Sequence, residues 1–203
     1  MTSGKNSAAV EALQDNVSQF FDRFFEKHHS HMRCGQGCSS CCQSGLTVFP
    51  VEAERILNWW SELDLTSRER IKAQWTRALS ESSGGASSKC VFLSEDSCSI
   101  YKARPVVCRS QGLPLKISVE KQSTEDDVAE SELSLCELNF TEHGSIPEGR
   151  EWLDLDRLNV LLTIAQRQWN ENESAPEMKK LNQKYQGRIP LTEIQTLILH
   201  KLQ

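Results

Sequence analysis

The sequence contains no run of about 18 apolar residues, so it offers no segment that would cross a membrane as a helix. It also lacks an excess of basic charge. Lys and Arg number 23 against 28 Asp and Glu, a formal net charge of −5, which speaks against a general nucleic-acid binder. No strand-like run leads into a glycine-rich turn of the kind that would cradle S-adenosylmethionine, and no internal repeat is present. The opening residues Met1 to Asn6 lack the basic-then-apolar order of a secretory signal, and the expected location is therefore the reducing cytoplasm.

Length is not in short supply. At 203 residues the chain can bury a core without covalent staples. Its eight cysteines are therefore not needed as a disulfide framework, and in a reducing compartment clustered thiols read as metal ligands or redox groups. Four of them fall within nine residues, Cys34-Gly-Gln-Gly-Cys38-Ser-Ser-Cys41-Cys42, separated by residues that add little bulk. Such a segment can turn several sulfurs toward one centre. Cys90, Cys98, Cys108 and Cys136 follow singly. All eight are candidate metal ligands. Thiolates select soft ions, so zinc, copper(I) and iron–sulfur clusters are in play, and magnesium or calcium is not. The scattered second half suits an iron–sulfur site better than paired zinc knuckles, which places iron–sulfur ahead of zinc.

His28, His29 and His31 read as a solvated helix end, because eight thiols already suffice as ligands. If the chain is extended at Cys41–Cys42, the two sulfurs diverge, which suits two adjacent centres or one ligand with a bystander. Arg33, Lys89, Lys102, Arg104 and Arg109 stand beside cysteines, where they would offset thiolate charge or simply face solvent. Cys34, Cys38 and Cys41 also spell the CxxxCxxC triplet of radical S-adenosylmethionine enzymes, but the alternating strands and helices which that chemistry needs do not follow.

Hydrophobic periodicity places helices on both sides of the cysteine region. Residues 6 to 32 carry the stripe Val10, Leu13, Val17, Phe20, Phe21, Phe24 and Phe25. Pro50 fits the first turn of a second helix with Ile56, Leu57, Trp59, Trp60 and Leu63 on its buried side. A third helix starts near Leu65, with Thr66 and Glu69 as a capping box and Ile71, Trp75, Ala78 and Leu79 as its stripe. Residues 80–88 form a Ser/Gly loop, and Cys90 to Leu115 reads as short extended pieces and turns, with a single helical turn at 106–109. Residues 115–119 and 133–135 pair as a hairpin around an acidic loop over 120–132. Helices follow over 153–169, around 178–185 and over 191–202. The expected fold is mainly α with a small, irregular, cysteine-rich α+β metal-binding core in a single domain. Within it the expected parts are an N-terminal helix at 1–33, a cysteine-cluster region at 34–140 with a helical insertion at 50–80, and a helical extension at 141–203.

Taken together, the Cys34–Cys42 block, Cys90-Val-Phe-Leu93, Cys98-Ser-Ile-Tyr101, Arg104-Pro105 and Cys108-Arg109 resemble the CxxCxxCC cysteine-cluster family of the YkgJ type. Its members are described as candidate zinc- or iron-chelating proteins. The first gap here is three residues rather than two, and Cys136 follows a long insertion. The resemblance implies metal chelation with no assigned reaction. It leaves Tyr101 and Arg104 as braces of the cluster loops, one by packing and the other by hydrogen bonds to carbonyls or sulfurs. A similar cluster region in the larger flagellin lysine N-methylases implies an enzymatic alternative, a cluster-dependent methyltransferase or oxidoreductase acting on a protein. A structural zinc module for protein interaction is the third reading.

Overall fold

The computed structural model describes residues 7–81, 88–119, 131–171 and 176–201. The expected Ser/Gly loop lies largely outside these residues, and so does most of the acidic loop. The fold is mainly α with small sheets, as the periodicity predicts. In chain order the helices are α1 (Ala8–His28), α2 (Pro50–Glu62), α3 (Leu65–Glu81), the single turn α4 (Val106–Arg109), α5 (Leu155–Glu171), α6 (Pro176–Lys184) and α7 (Leu191–Lys201). The strands are β1 (Thr47–Val48), β2 (Leu93–Ser94), β3 (Ser97–Cys98), β4 (Leu115–Ser118), β5 (Ser131–Ser134), β6 (Leu153–Asp154) and β7 (Ile189–Pro190). They divide between two compact units. One comprises Met1–Ala12, Gln36–Pro105 and Ala165–Gln203; the other comprises Leu13–Gly35 and Val106–Ile164.

The first unit is built on α2. Pro50 opens the helix, where its missing N–H costs nothing, and the Phe49 N–H donates to the Glu52 carboxylate at 3.1 Å. Just before it, β1 pairs antiparallel with β7. The Leu191 N–H donates to the Leu46 carbonyl at 3.0 Å, fixing α7 at its start. Trp60 and Trp75 stack with ring centroids 5.6 Å apart, and Trp75 meets Phe92 at 5.2 Å. All three are buried. Two polar ties cross this apolar interior: the Trp169 Nε1–H donates to Glu54 Oε2 at 2.7 Å, and the Val51 N–H donates to Gln166 Oε1 at 3.0 Å. A buried carboxylate needs such donors to offset its lost hydration.

The second unit gathers Phe24, Met32, Leu113 and Phe140 into one buried cluster, with Phe20, Phe21, Phe25, Leu115, Leu135 and Leu153 packed around it. Phe24 meets Phe140 edge-on at 6.0 Å. Its sheet has the order β5-β4-β6, antiparallel between β4 and β5 and parallel between β4 and β6. After α1 the chain makes a 3-10 turn at His29–His31, and the His31 carbonyl accepts the Phe140 N–H at 2.8 Å. His28 bonds Glu151 at 2.9 Å rather than pointing free into solvent.

Several local expectations need correction. The cap of α3 is Asp64, not Thr66: Asp64 Oδ1 accepts the Ser67 N–H at 2.8 Å and Oδ2 accepts the Ser67 hydroxyl at 2.7 Å. Aspartate binds the free N–H groups of a helix start better than threonine does. The α3 stripe ends at Trp75, because Leu79 is exposed, as is Leu161 on α5. The return strand of the hairpin begins at Ser131, so Glu132 is paired with Ile117 instead of lying in the loop. The strand β6 was unforeseen, since two residues leave no periodicity to read.

Two predictions follow from these contacts. Trp169→Phe keeps an aromatic side chain, though a smaller one, and removes the donor to Glu54; it should lower stability by about 1–3 kcal/mol in urea denaturation. The second concerns Glu151, whose carboxyl is held down at about 2 by hydrogen bonds from Lys27 and then His28. A carboxyl lowered in the folded state stabilises it above the unfolded value of 4.5, and this contribution disappears as pH falls toward about 2. The stability difference between the wild type and Glu151→Gln should therefore be flat at neutral pH and close up over that acid interval. A difference independent of pH would refute the assignment.

Candidate metal centre

None of the eight cysteines is joined in a disulfide. Cys38, Cys41, Cys42, Cys90 and Cys98 fall in the first unit; Cys34, Cys108 and Cys136 fall in the second.

In the first unit three segments are tied together by backbone. The chain turns at Cys41–Cys42, where the Cys42 N–H donates to the Ser39 carbonyl at 3.0 Å and the Gln43 N–H to the Cys41 carbonyl at 2.9 Å. It is not extended there, and the two thiols hydrogen-bond each other rather than diverging. The Cys90 N–H then donates to the Cys42 carbonyl at 3.0 Å, beside a bridge between Gln43 and Lys89. The Leu93 N–H donates back to the Cys90 carbonyl at 3.0 Å, and Leu93 pairs with Cys98 across the β2–β3 hairpin. The hairpin turns on Glu95 and Asp96, both at positive φ (50° and 53°), as a tight two-residue loop requires. Asp96 Oδ1 accepts the Ser39 hydroxyl at 2.9 Å, which joins the hairpin tip to the loop between Cys38 and Cys41. From behind, the Trp75 Nε1–H donates to Ser99 Oγ at 2.7 Å and Ser99 Oγ donates to the Phe92 carbonyl at 2.8 Å. Gln195 of α7 donates to the Val91 carbonyl at 2.7 Å.

Electrostatics follow from this gathering. The Cys41 thiol is pushed far above the usual range, first by its hydrogen bond with Cys42, then by desolvation and the charge of the Cys42 sulfur. Burial raises Cys90 and Cys98, and each also feels the neighbouring sulfurs, Cys41 among them. Arg104 acts the other way on Cys41 and Cys98. Its guanidinium lies 3.7 Å from the centre of the exposed Tyr101 ring, a cation–π contact. Thiols grouped in this way resist joint ionisation unless a cation stands among them. A soft cation would reverse the balance, and the donor chemistry fits one.

The three thiols of the second unit are organised by a residue that the sequence reading missed. Asn139 is buried; its Oδ1 accepts the Arg33 N–H at 2.8 Å, and its Nδ2 donates to the Gly112 carbonyl at 2.9 Å and to Cys34 Sγ at 3.3 Å. Its own N–H donates to the Cys136 carbonyl at 3.0 Å. Cys108 lies on α4, four residues before Gly112. Only the closeness of Asn139 to Cys136 in sequence hinted at this. Among the described residues, no group of three or more His, Cys, Asp or Glu side chains stands in an arrangement that could hold a metal ion. The sulfurs are brought to shared neighbourhoods without closing on one point.

Gly112 makes the testable point of this geometry. Its φ is +90°, and a Cβ built there would lie 2.3 Å from Cys34 Sγ. Gly112→Ala should destabilise the protein by about 1–3 kcal/mol, from backbone strain together with displacement of the sulfur. Thermal or urea unfolding checks it, and an unchanged midpoint would remove the proposed close approach.

No curated protein and no solved structure matches the chain. A family model does match at residues 33–132, the CxxCxxCC model, whose description is "putative zinc- or iron-chelating domain". The match takes in the Cys38–Cys42 turn, the Cys90–Cys98 hairpin, Arg104, α4 and Gly112, which are the elements that gather thiols above. From residue 33 to residue 132, this chain matches the CxxCxxCC domain model.

Proposed function

We propose that this protein binds a metal through clustered thiolates, as an iron–sulfur cluster in the first instance and as zinc in the second. The ligands are drawn from Cys34, Cys38, Cys41, Cys42, Cys90, Cys98, Cys108 and Cys136. The observation that carries this reading is the gathering of Cys41, Cys42, Cys90 and Cys98 on backbone-tied segments, with the Arg104 charge acting on two of them. An iron–sulfur cluster there would supply a one-electron carrier, and zinc would supply a structural brace. The protein's part is to hold the sulfurs and offset their charge with Arg104. Metal binding would couple to the ordering of the segments that carry the sulfurs.

The test is the iron, zinc and acid-labile sulfide content of protein purified without oxygen and without added metal, with its visible spectrum. A brown protein containing iron and sulfide is expected. A colourless protein with stoichiometric zinc would replace the electron-transfer reading by a structural one, and a protein with neither would end the proposal. Cys90→Ser should cut metal content at least severalfold, since it removes a sulfur at the junction of two tied segments.

A further inference from the structure

Asn139 uses its whole side chain. The orientation of its amide is settled by the Arg33 N–H, which only an oxygen can accept, so the NH2 group faces the Gly112 carbonyl and the Cys34 sulfur. Both of its N–H bonds are thereby committed. The backbone around it is pinned as well, through the Cys136 carbonyl on one side and the His31 carbonyl, which accepts from Phe140, on the other. Beside the amide, Cys34 Sγ rests against Gly112, where a side chain would not fit. A sulfur that meets a buried N–H donor beside bare backbone is a prepared acceptor. Hydrogen bonds of this kind to sulfur tune metal-bound thiolates.

We propose that Asn139 is a positioning residue for Cys34: its amide N–H holds the Cys34 sulfur as a hydrogen-bonded thiolate ligand and draws electron density from it. This rests on the thiolate-metal reading above. Removing the donor makes the sulfur more electron-rich, so sulfur-to-metal charge transfer moves to lower energy. Asn139 also joins the segments that carry Cys34, Cys108 and Cys136, so its loss is felt in stability. Stability alone therefore does not separate positioning from plain packing, and a spectroscopic signature does.

The experiment adds cobalt(II) to the reduced, metal-free, full-length chain and records the thiolate charge-transfer bands. Wild type, Asn139→Ala, Cys34→Ser and the double variant are compared. The expected result is a shift to longer wavelength in Asn139→Ala, with no shift on adding that change to Cys34→Ser. Bands that stay in place in Asn139→Ala, or that move equally in the Cys34→Ser background, overturn the proposal while leaving the metal reading intact. A wild type that shows no thiolate charge transfer overturns both. Where Asn139→Ala does not fold, Asn139→Asp keeps the acceptor for Arg33 and places an oxygen against the sulfur. It should shift the bands in the same direction, and unchanged bands count against the proposal.

Discussion

The hydrogen bond from the Cys90 N–H to the Cys42 carbonyl is the contact on which the cysteine-rich part of the molecule depends. It closes a long excursion of chain that contains α2 and α3, and closing such a loop costs entropy that grows only slowly with its length. Two whole helices can therefore be inserted between the first cysteine block and the second at little penalty. In return they supply Trp60 and Trp75, which floor the hairpin through Phe92 and Ser99. The apolar core and the thiol neighbourhood are one construction in this unit, because the same hairpin faces both.

The two units solve the same problem with different chemistry. In the first, sulfurs are gathered by backbone pairing and their charge is met by a guanidinium. In the second, a single buried amide does the gathering, and glycine provides the room. The second device places a polar group where water is scarce and satisfies it, as a buried polar group demands. Neither depends on long side chains reaching across solvent. That suits a site whose ligands are short: a cysteine sulfur sits close to its backbone, so the backbone must be brought to the site.

Much of this was legible in the sequence, for physical reasons that differ from element to element. The helices α1, α2, α5 and α7 announced themselves by apolar periodicity, and Pro50 marked a helix start because proline has few other uses there. The β4–β5 hairpin was readable from alternation. The family was readable from spaced cysteines with Arg104-Pro105 between them. What escaped was whatever depends on contact between distant segments: the pairing of β4 with β6, the Asp64 cap where Thr66 offered a tidier pattern, and the turn at Cys41–Cys42. Asn139 escaped for the same reason. An asparagine carries no periodicity, and its meaning lies in Arg33, Gly112 and Cys34, which are far away in the chain.

The ties that steady the hairpin reach well past the stretch that matches the family. The Val91 carbonyl is held by Gln195, Glu54 by Trp169, and β1 by β7. The recognisable signature and the cooperative unit are thus different things. A fragment cut at the borders of the signature would keep most of the cysteines and lose the partners of the strands and carboxylates that brace them. The terminal helices are then less an appendage than the other half of the same construction, and a gene fusion or truncation that respected only the signature would separate the sulfurs from their scaffold.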